Sequence, residues 1–147
     1  MNTFLNLKNL VKTEMKANSR EKFEKNEKVI SVIKNKEEWK EKIQQTDKVI
    51  IVEGKKDKKA LVSLGVKNIV TINGPLYKLV EDVAEMTDEV VILTDFDREG
   101  RKLYGFLRNN LQRNGVKIDR YFREFLMMNT KLTCIESIDK TFENNLF

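Results

Sequence analysis

From Lys48 onward the chain alternates short, very apolar β-branched runs with stretches of helical period, and that alternation leaves few folds open. Val49-Ile50-Ile51-Val52 is apolar at every position, as a strand covered on both faces requires. A charged helix start at Asp57 follows, with Ala60, Leu61 and Leu64 facing inward and Gly65 placed to end the helix. Ile69 to Ile72 reads as a second strand, closed by the turn Asn73-Gly74-Pro75. Leu76 to Met86 carries a helical stripe of Leu76, Leu79, Val80 and Val83. Val90 to Thr94 is a third strand, and a longer helix runs from about Glu99 to Asn114, stopped by Gly115. Lys117 to Phe122 completes the pattern as a fourth strand. The prediction is an α/β domain: a parallel sheet of about four strands with right-handed crossovers, flanked by helices on both faces. In sheets of this kind the functional crevice lies beyond the carboxyl ends of the strands.

Residues 1–47 obey a different pattern. They are rich in Lys, Glu and Asn, lack Gly and Pro, and space their apolar residues at helical intervals. Ser19 is placed to cap a helix in which Phe23, Ile30 and Ile33 share a face. Asn35 with Glu38 resembles a capping box opening a second helix, with Trp39 and Ile43 stacked at i,i+4. The expectation is a helical N-terminal extension of two or three helices over 1–47, a surface for a protein partner, followed by the α/β domain over 48–147. Met1–Val11 does not read as a signal peptide. A chain of 147 residues has room for one domain of ordinary size.

Composition narrows the chemistry. With no His, the Ser/His/Asp, Cys/His and His-metal mechanisms are excluded. Cys134 is the only cysteine, so neither a disulfide framework nor a zinc cluster is open, and a reducing cytoplasm is the expected setting. No apolar run approaches the ~20 residues of a membrane span. A net charge of +5 and a pI near 9.2 are compatible with a polyanionic partner, and equally with an ordinary solvated surface. Any reaction must rest on carboxylates, Lys, Arg or a hard metal.

The carboxylates fall where the fold would use them. Glu53 directly follows the first strand, and Asp95 and Asp97 directly follow the third, so all three belong to one rim of the sheet. Clustered carboxylates repel unless a cation neutralises them, and an all-oxygen set selects Mg²⁺ or Mn²⁺ over Zn²⁺. Each acid singly is also a good helix cap. Asp97 precedes a helix, and Asp57 reads more readily as a cap than as a ligand. Tyr104, Trp39 and Met127-Met128 read as packing residues and Cys134 as structural.

Taken together, Val49-Ile50-Ile51-Val52-Glu53-Gly54-Lys55-Lys56-Asp57, Thr71-Ile72-Asn73-Gly74 and Val91-Ile92-Leu93-Thr94-Asp95-Phe96-Asp97-Arg98-Glu99-Gly100 resemble the Toprim domain. This is the Rossmann-like catalytic module of type IA and type II topoisomerases, bacterial-type primases, OLD-family nucleases and ribonuclease M5. The resemblance spans residues 48 to about 125. The first and second segments look most like ribonuclease M5, and Asp-Arg-Glu-Gly looks like the type IA topoisomerases. The short length and the tail Leu132–Ile138 most resemble small stand-alone Toprim proteins of archaea. One departure is Phe96, where the ribonuclease and topoisomerase pattern usually has Pro between the two acids, and a less rigid turn is expected from it.

The resemblance implies roles. Glu53 would be the general acid/base or a metal ligand, and Asp95 and Asp97 would hold one or two Mg²⁺, with Mn²⁺ able to substitute. Lys55, Lys56, Arg98 and Arg101, at loop and helix starts on the same rim, could bind phosphates. The implied activity is phosphodiester hydrolysis on RNA or DNA, as in a small ribonuclease M5-like nuclease. The alternative is a nucleic-acid-binding Toprim module with little activity of its own, acting within a larger complex.

Overall fold

A computed structural model of the chain describes residues 19–144. The reading of Met1–Val11 lies outside these residues. The elements in order are α1 (Ser19–Gln45), β1 (Val49–Val52), α2 (Lys55–Ser63), β2 (Ile69–Thr71), α3 (Leu76–Met86) and β3 (Glu89–Ile92). They continue with α4 (Arg98–Arg113), β4 (Lys117–Ile118), α5 (Tyr121–Asn129), a 3-10 turn (Ile135–Ser137) and α6 (Ile138–Glu143). Two compact units divide the chain, Met1–Glu38 and Trp39–Phe147. No described helix is long and apolar enough to cross a membrane.

The sheet has the order β2-β1-β3-β4 and every pair is parallel. Because side chains alternate along a strand, β1 and β3 feed two separate cores. Ile50, Val52, Val91 and Leu93 pack with Ala60, Leu61 and Leu64 of α2, with Trp39 and Ile43 from the end of α1, and with Phe122, Phe125 and Leu126 of α5. Val49, Ile51, Val90 and Ile92 pack on the opposite side with Leu79, Val80 and Val83 of α3 and Leu107 and Leu111 of α4. A continuous apolar strand is thus explained: each residue has a core to enter. At roughly 1.5–3 kcal/mol for each fully buried Val, Ile or Leu, these two layers are the dominant stabilising term.

The topology also decides where a site can form. α2 covers one face while α3 and α4 cover the other, so the connections leaving β1 and β3 diverge to opposite sides. A crevice opens at the carboxyl ends of those two neighbours.

Two expectations are corrected. The stretch read as two helices is a single 27-residue helix, α1. Asn35 and Glu38 mimic a start signal, but a mid-helix Asn costs only a fraction of a kcal/mol among good helix formers, and no Gly or Pro interrupts the run. The fourth strand is only Lys117–Ile118, and Tyr121 and Phe122 open α5 instead. Asp119 Oδ1 accepts the Tyr121 N–H at 3.0 Å and turns the chain. Phe122, Phe125 and Leu126 then fall at i, i+3 and i+4, which buries an aromatic stripe that a strand would have split between two faces. Trp39 closes this layer, with its Nε1 donating to Phe122 O at 3.1 Å and its ring 5.0 Å from that of Phe142.

Candidate metal centre

Parallel pairing sets Ile51 of β1 opposite Ile92 of β3. The ladder runs one residue further, since Leu93 N–H donates to Ile51 O at 2.8 Å. The chain therefore delivers Glu53 and Asp95 to the same rim, and α2 adds Asp57 from its first turn. One carboxylate oxygen from each of Glu53, Asp57 and Asp95 lies within 4.8 Å of the others. Asp57 is buried, and Glu53 and Asp95 are half-buried.

Each acid is held by a different part of the backbone. Asp57 Oδ2 accepts the Gly54 N–H at 2.9 Å. Asp95 Oδ1 accepts the Ile135 N–H at 2.8 Å. Asp97 is the N-cap of α4, its Oδ1 accepting the Gly100 N–H at 2.7 Å. It is exposed and stands outside the close trio, although its charge still acts on Glu53. Asp57 is both cap and cluster member. A carboxylate has about four lone-pair sites, so capping a helix does not exhaust it.

The electrostatics show what the cluster lacks. Burial pushes the Glu53 carboxyl up to about 7, helped by a hydrogen bond to Asp95 and by the charges of Asp95, Asp57 and Asp97. Asp57 is also raised, by burial and by the charges of Asp95 and Glu136, against the lowering effect of the Gly54 and Glu136 backbone. Three hard oxygen donors that resist joint ionisation are what a divalent cation relieves, so the residues present fit Mg²⁺ or Mn²⁺.

The loop carrying Asp95 is fixed from below by Arg123, which is 4% exposed. Its Nη1 donates to Thr94 O and, at 3.2 Å, to Thr94 Oγ1, and its Nη2 donates to Asp95 O at 3.2 Å. The guanidinium lies 4.6 Å from the Phe96 ring centroid and 4.5 Å from that of Tyr104. Burial lowers its pKa, while Tyr104, Glu53 and Asp95 act to hold it charged. Phe96 is thus a platform for a buried cation. Its N–H also donates to Thr133 O at 2.8 Å, which restrains the turn by another route. Gly100 completes the loop's packing: a Cβ there would stand 2.1 Å from Asp95 O. Only glycine permits that approach.

Lys55 and Lys56 open α2, and Arg98 and Arg101 open α4; all four are exposed. None of their side chains has an ion-pair or hydrogen-bond partner among the described residues. Tyr104 is half-buried in packing, as its sequence context indicated. Sequence reasoning missed Arg123, and it favoured a cap over a ligand for Asp57, which serves as both cap and member of the cluster. The available signal for Arg123 was a charge inside the aromatic stripe of α5, visible only once Phe122 is placed on a helix.

Residues 47–122 match the Toprim domain family. The UPF0292 protein MJ1624 of Methanocaldococcus jannaschii is 35% identical over 111 residues, covering 72% of this chain and 87% of that protein. The UPF0292 protein PH1700 of Pyrococcus horikoshii is 37% identical over 92 residues, 62% of this chain and 70% of its own length. Among solved structures, a protein from Aquifex aeolicus superposes with a TM-score of 0.63 at 33% identity, covering 69% of this chain and 95% of that one. This chain belongs to the Toprim domain family, and its acidic cluster fits the divalent-metal-dependent nucleic-acid chemistry of such domains.

Proposed function

We propose that the protein is a small Mg²⁺-dependent nuclease of the Toprim class, acting on phosphodiester bonds of RNA or DNA. The observation that supports this most is the convergence of Glu53, Asp57 and Asp95 within 4.8 Å at the carboxyl ends of two adjacent parallel strands. A bound divalent ion would supply charge stabilisation for the phosphodiester oxygens and a template for substrate and water.

The chain's own residues divide the remaining work. Asp95 and Asp57 are the more anchored ligands, each fixed by backbone N–H groups. Asp97, beyond the trio and capping α4, would serve a second ion or a water-mediated contact. Glu53 is the proton-handling group as well as a ligand: with a cation bound it would stand ionised beside the reacting phosphodiester, able to take a proton from the attacking water. Lys55, Lys56, Arg98 and Arg101 flank the centre from the starts of two helices and, having no ion-pair partner among the described residues, would hold phosphates.

The experiment is a cleavage screen of structured RNA and DNA with Mg²⁺ or Mn²⁺, using wild type, Glu53→Gln and Asp95→Asn. Metal-dependent cleavage that both substitutions reduce by at least ~10²-fold, with binding retained, supports the nuclease reading. Salt-sensitive binding without turnover, under every metal condition, would replace it with a binding module acting in a larger complex.

A further inference from the structure

A cleft of about 370 Å³ opens beside the acidic centre, between α2 and the segment formed by the 3-10 turn and α6. Lys56, Lys59 and Ser63 line it from α2, and Ser137 and Lys140 face them from the chain's last helical segment. Lys56, Lys59 and Ser63 follow one another at i, i+3 and i+7, so one face of α2 forms the wall. All three lysines are exposed, and none has an ion-pair partner among the described residues. Lys59 and Lys140 are cationic groups that the sequence gave no reason to associate with the acids.

The charge in the cleft is graded. Glu136, at its inner end, adds a negative field at Asp57. It belongs electrostatically with the metal centre. Asp139 also lines the cleft, but its Oδ1 is engaged by the Lys140 N–H at 2.8 Å. Away from Asp57 the wall is lysine and serine. From Lys56 to Ser63 the helix rises about 10 Å. That run is long enough to lie along more than one backbone phosphate.

We propose that this cleft is a track for the phosphodiester backbone of a nucleic-acid strand, with Lys56, Lys59 and Lys140 as its phosphate-binding cations. The inference deepens the nuclease reading, on which it rests, by giving the strand a direction: away from the acid trio along α2, toward Ser63. The Ser137 hydroxyl supplies a neutral donor to phosphate oxygens, the Ser63 hydroxyl being engaged with Ala60 O at 2.6 Å, and no aromatic side chain lines the cleft as a platform for bases. Recognition there is of backbone charge, without sequence readout.

The test uses the full chain, a fluorescein-labelled single-stranded RNA 12-mer and its DNA counterpart, and anisotropy titrations in chelator over a range of KCl. Lys59→Ala/Lys140→Ala is compared with Lys67→Ala/Lys117→Ala, which removes the same charge near the amino ends of β2 and β4. The expected result is a ~10-fold weaker affinity and a log–log salt slope smaller by about 1.5–2 for the cleft variant, with the control close to wild type. Equal affinity and slope in the cleft variant and wild type would overturn the track. Equal weakening of both variants would assign the effect to net charge and overturn it as well. Calorimetric binding of inorganic phosphate to a wild type that ignores both oligonucleotides would show a small-anion site and overturn the track, while the nuclease reading stands or falls separately on the metal-dependent cleavage screen.

Discussion

Asp95 and Ile135 stand 40 positions apart and are joined by a 2.8 Å hydrogen bond from the Ile135 N–H to Asp95 Oδ1. The backbone of the neighbouring Glu136 acts on Asp57, favouring its ionised form. A backbone N–H of the C-terminal segment thus orients one acid of the trio, and the next residue's backbone favours the charge of a second. This segment is part of the site's construction, although it contributes no ligand to the trio. Backbone donors aimed at carboxylates are typical of a site whose anions must keep their geometry before a cation arrives.

Gly100 provides a steric test of that geometry. Gly100→Ala would set a Cβ against Asp95 O, and the β3–α4 loop must move. The expected outcome is a loss of about 1–3 kcal/mol in urea unfolding, together with weakened divalent-ion binding. Gly105→Ala, in the same helix with no atom within 4 Å of the added carbon, is expected to gain about 0.5–1 kcal/mol and leave ion binding unchanged.

Arg123 makes a second prediction. Arg123→Met keeps most of the stem but leaves Thr94 O and Asp95 O without their donor inside the fold. A destabilisation of roughly 2–3 kcal/mol is expected, measured by chemical denaturation. Arg123→Lys retains the charge without the planar fork that spans both carbonyls and stacks on Phe96 and Tyr104, so it should recover only part of the loss.

The acid cluster makes stability depend on pH in an unusual direction. Glu53 holds its proton more tightly in the folded state, up to about 7 against 4.5, so the folded protein binds more protons than the unfolded chain in that interval. In chelator, stability should therefore fall as pH rises from about 4.5 toward 7, through the contribution of this group. Asp57, also raised, acts with the same sign. Thermal melts of wild type and Glu53→Gln across this range check it: the substitution should flatten the decline. Saturating Mg²⁺ should remove it from wild type, because a bound cation favours the ionised form.

The parts of this architecture that were legible in the sequence are those set by local pattern. Strands buried on both faces are written as uninterrupted β-branched runs, and Glu53 and Asp95 are exposed as site residues by following such runs directly. What could not be read depends on chain segments meeting at a distance. Arg123 reaches back 28 and 29 positions to its carbonyl partners, and nothing near it announces them. Asp57 carried an ambiguous signal, because a first-turn acid caps a helix whether or not it also faces a metal. At β4 the β propensity of Tyr121 and Phe122 competed with the Asp119 turn, and packing against Trp39 decided for the helix.

The central claim is that Glu53, Asp57 and Asp95 together hold a divalent cation. Isothermal titration of Mn²⁺ into metal-free wild type and Asp95→Asn tests it most directly. Asn keeps the acceptor for the Ile135 N–H, so fold stability should change by less than about 1 kcal/mol while a ligand charge is lost. The account predicts stoichiometric binding to wild type, at one or two ions, and an affinity at least ~10-fold lower in the variant. Binding of equal strength by both proteins, or by neither, would contradict it.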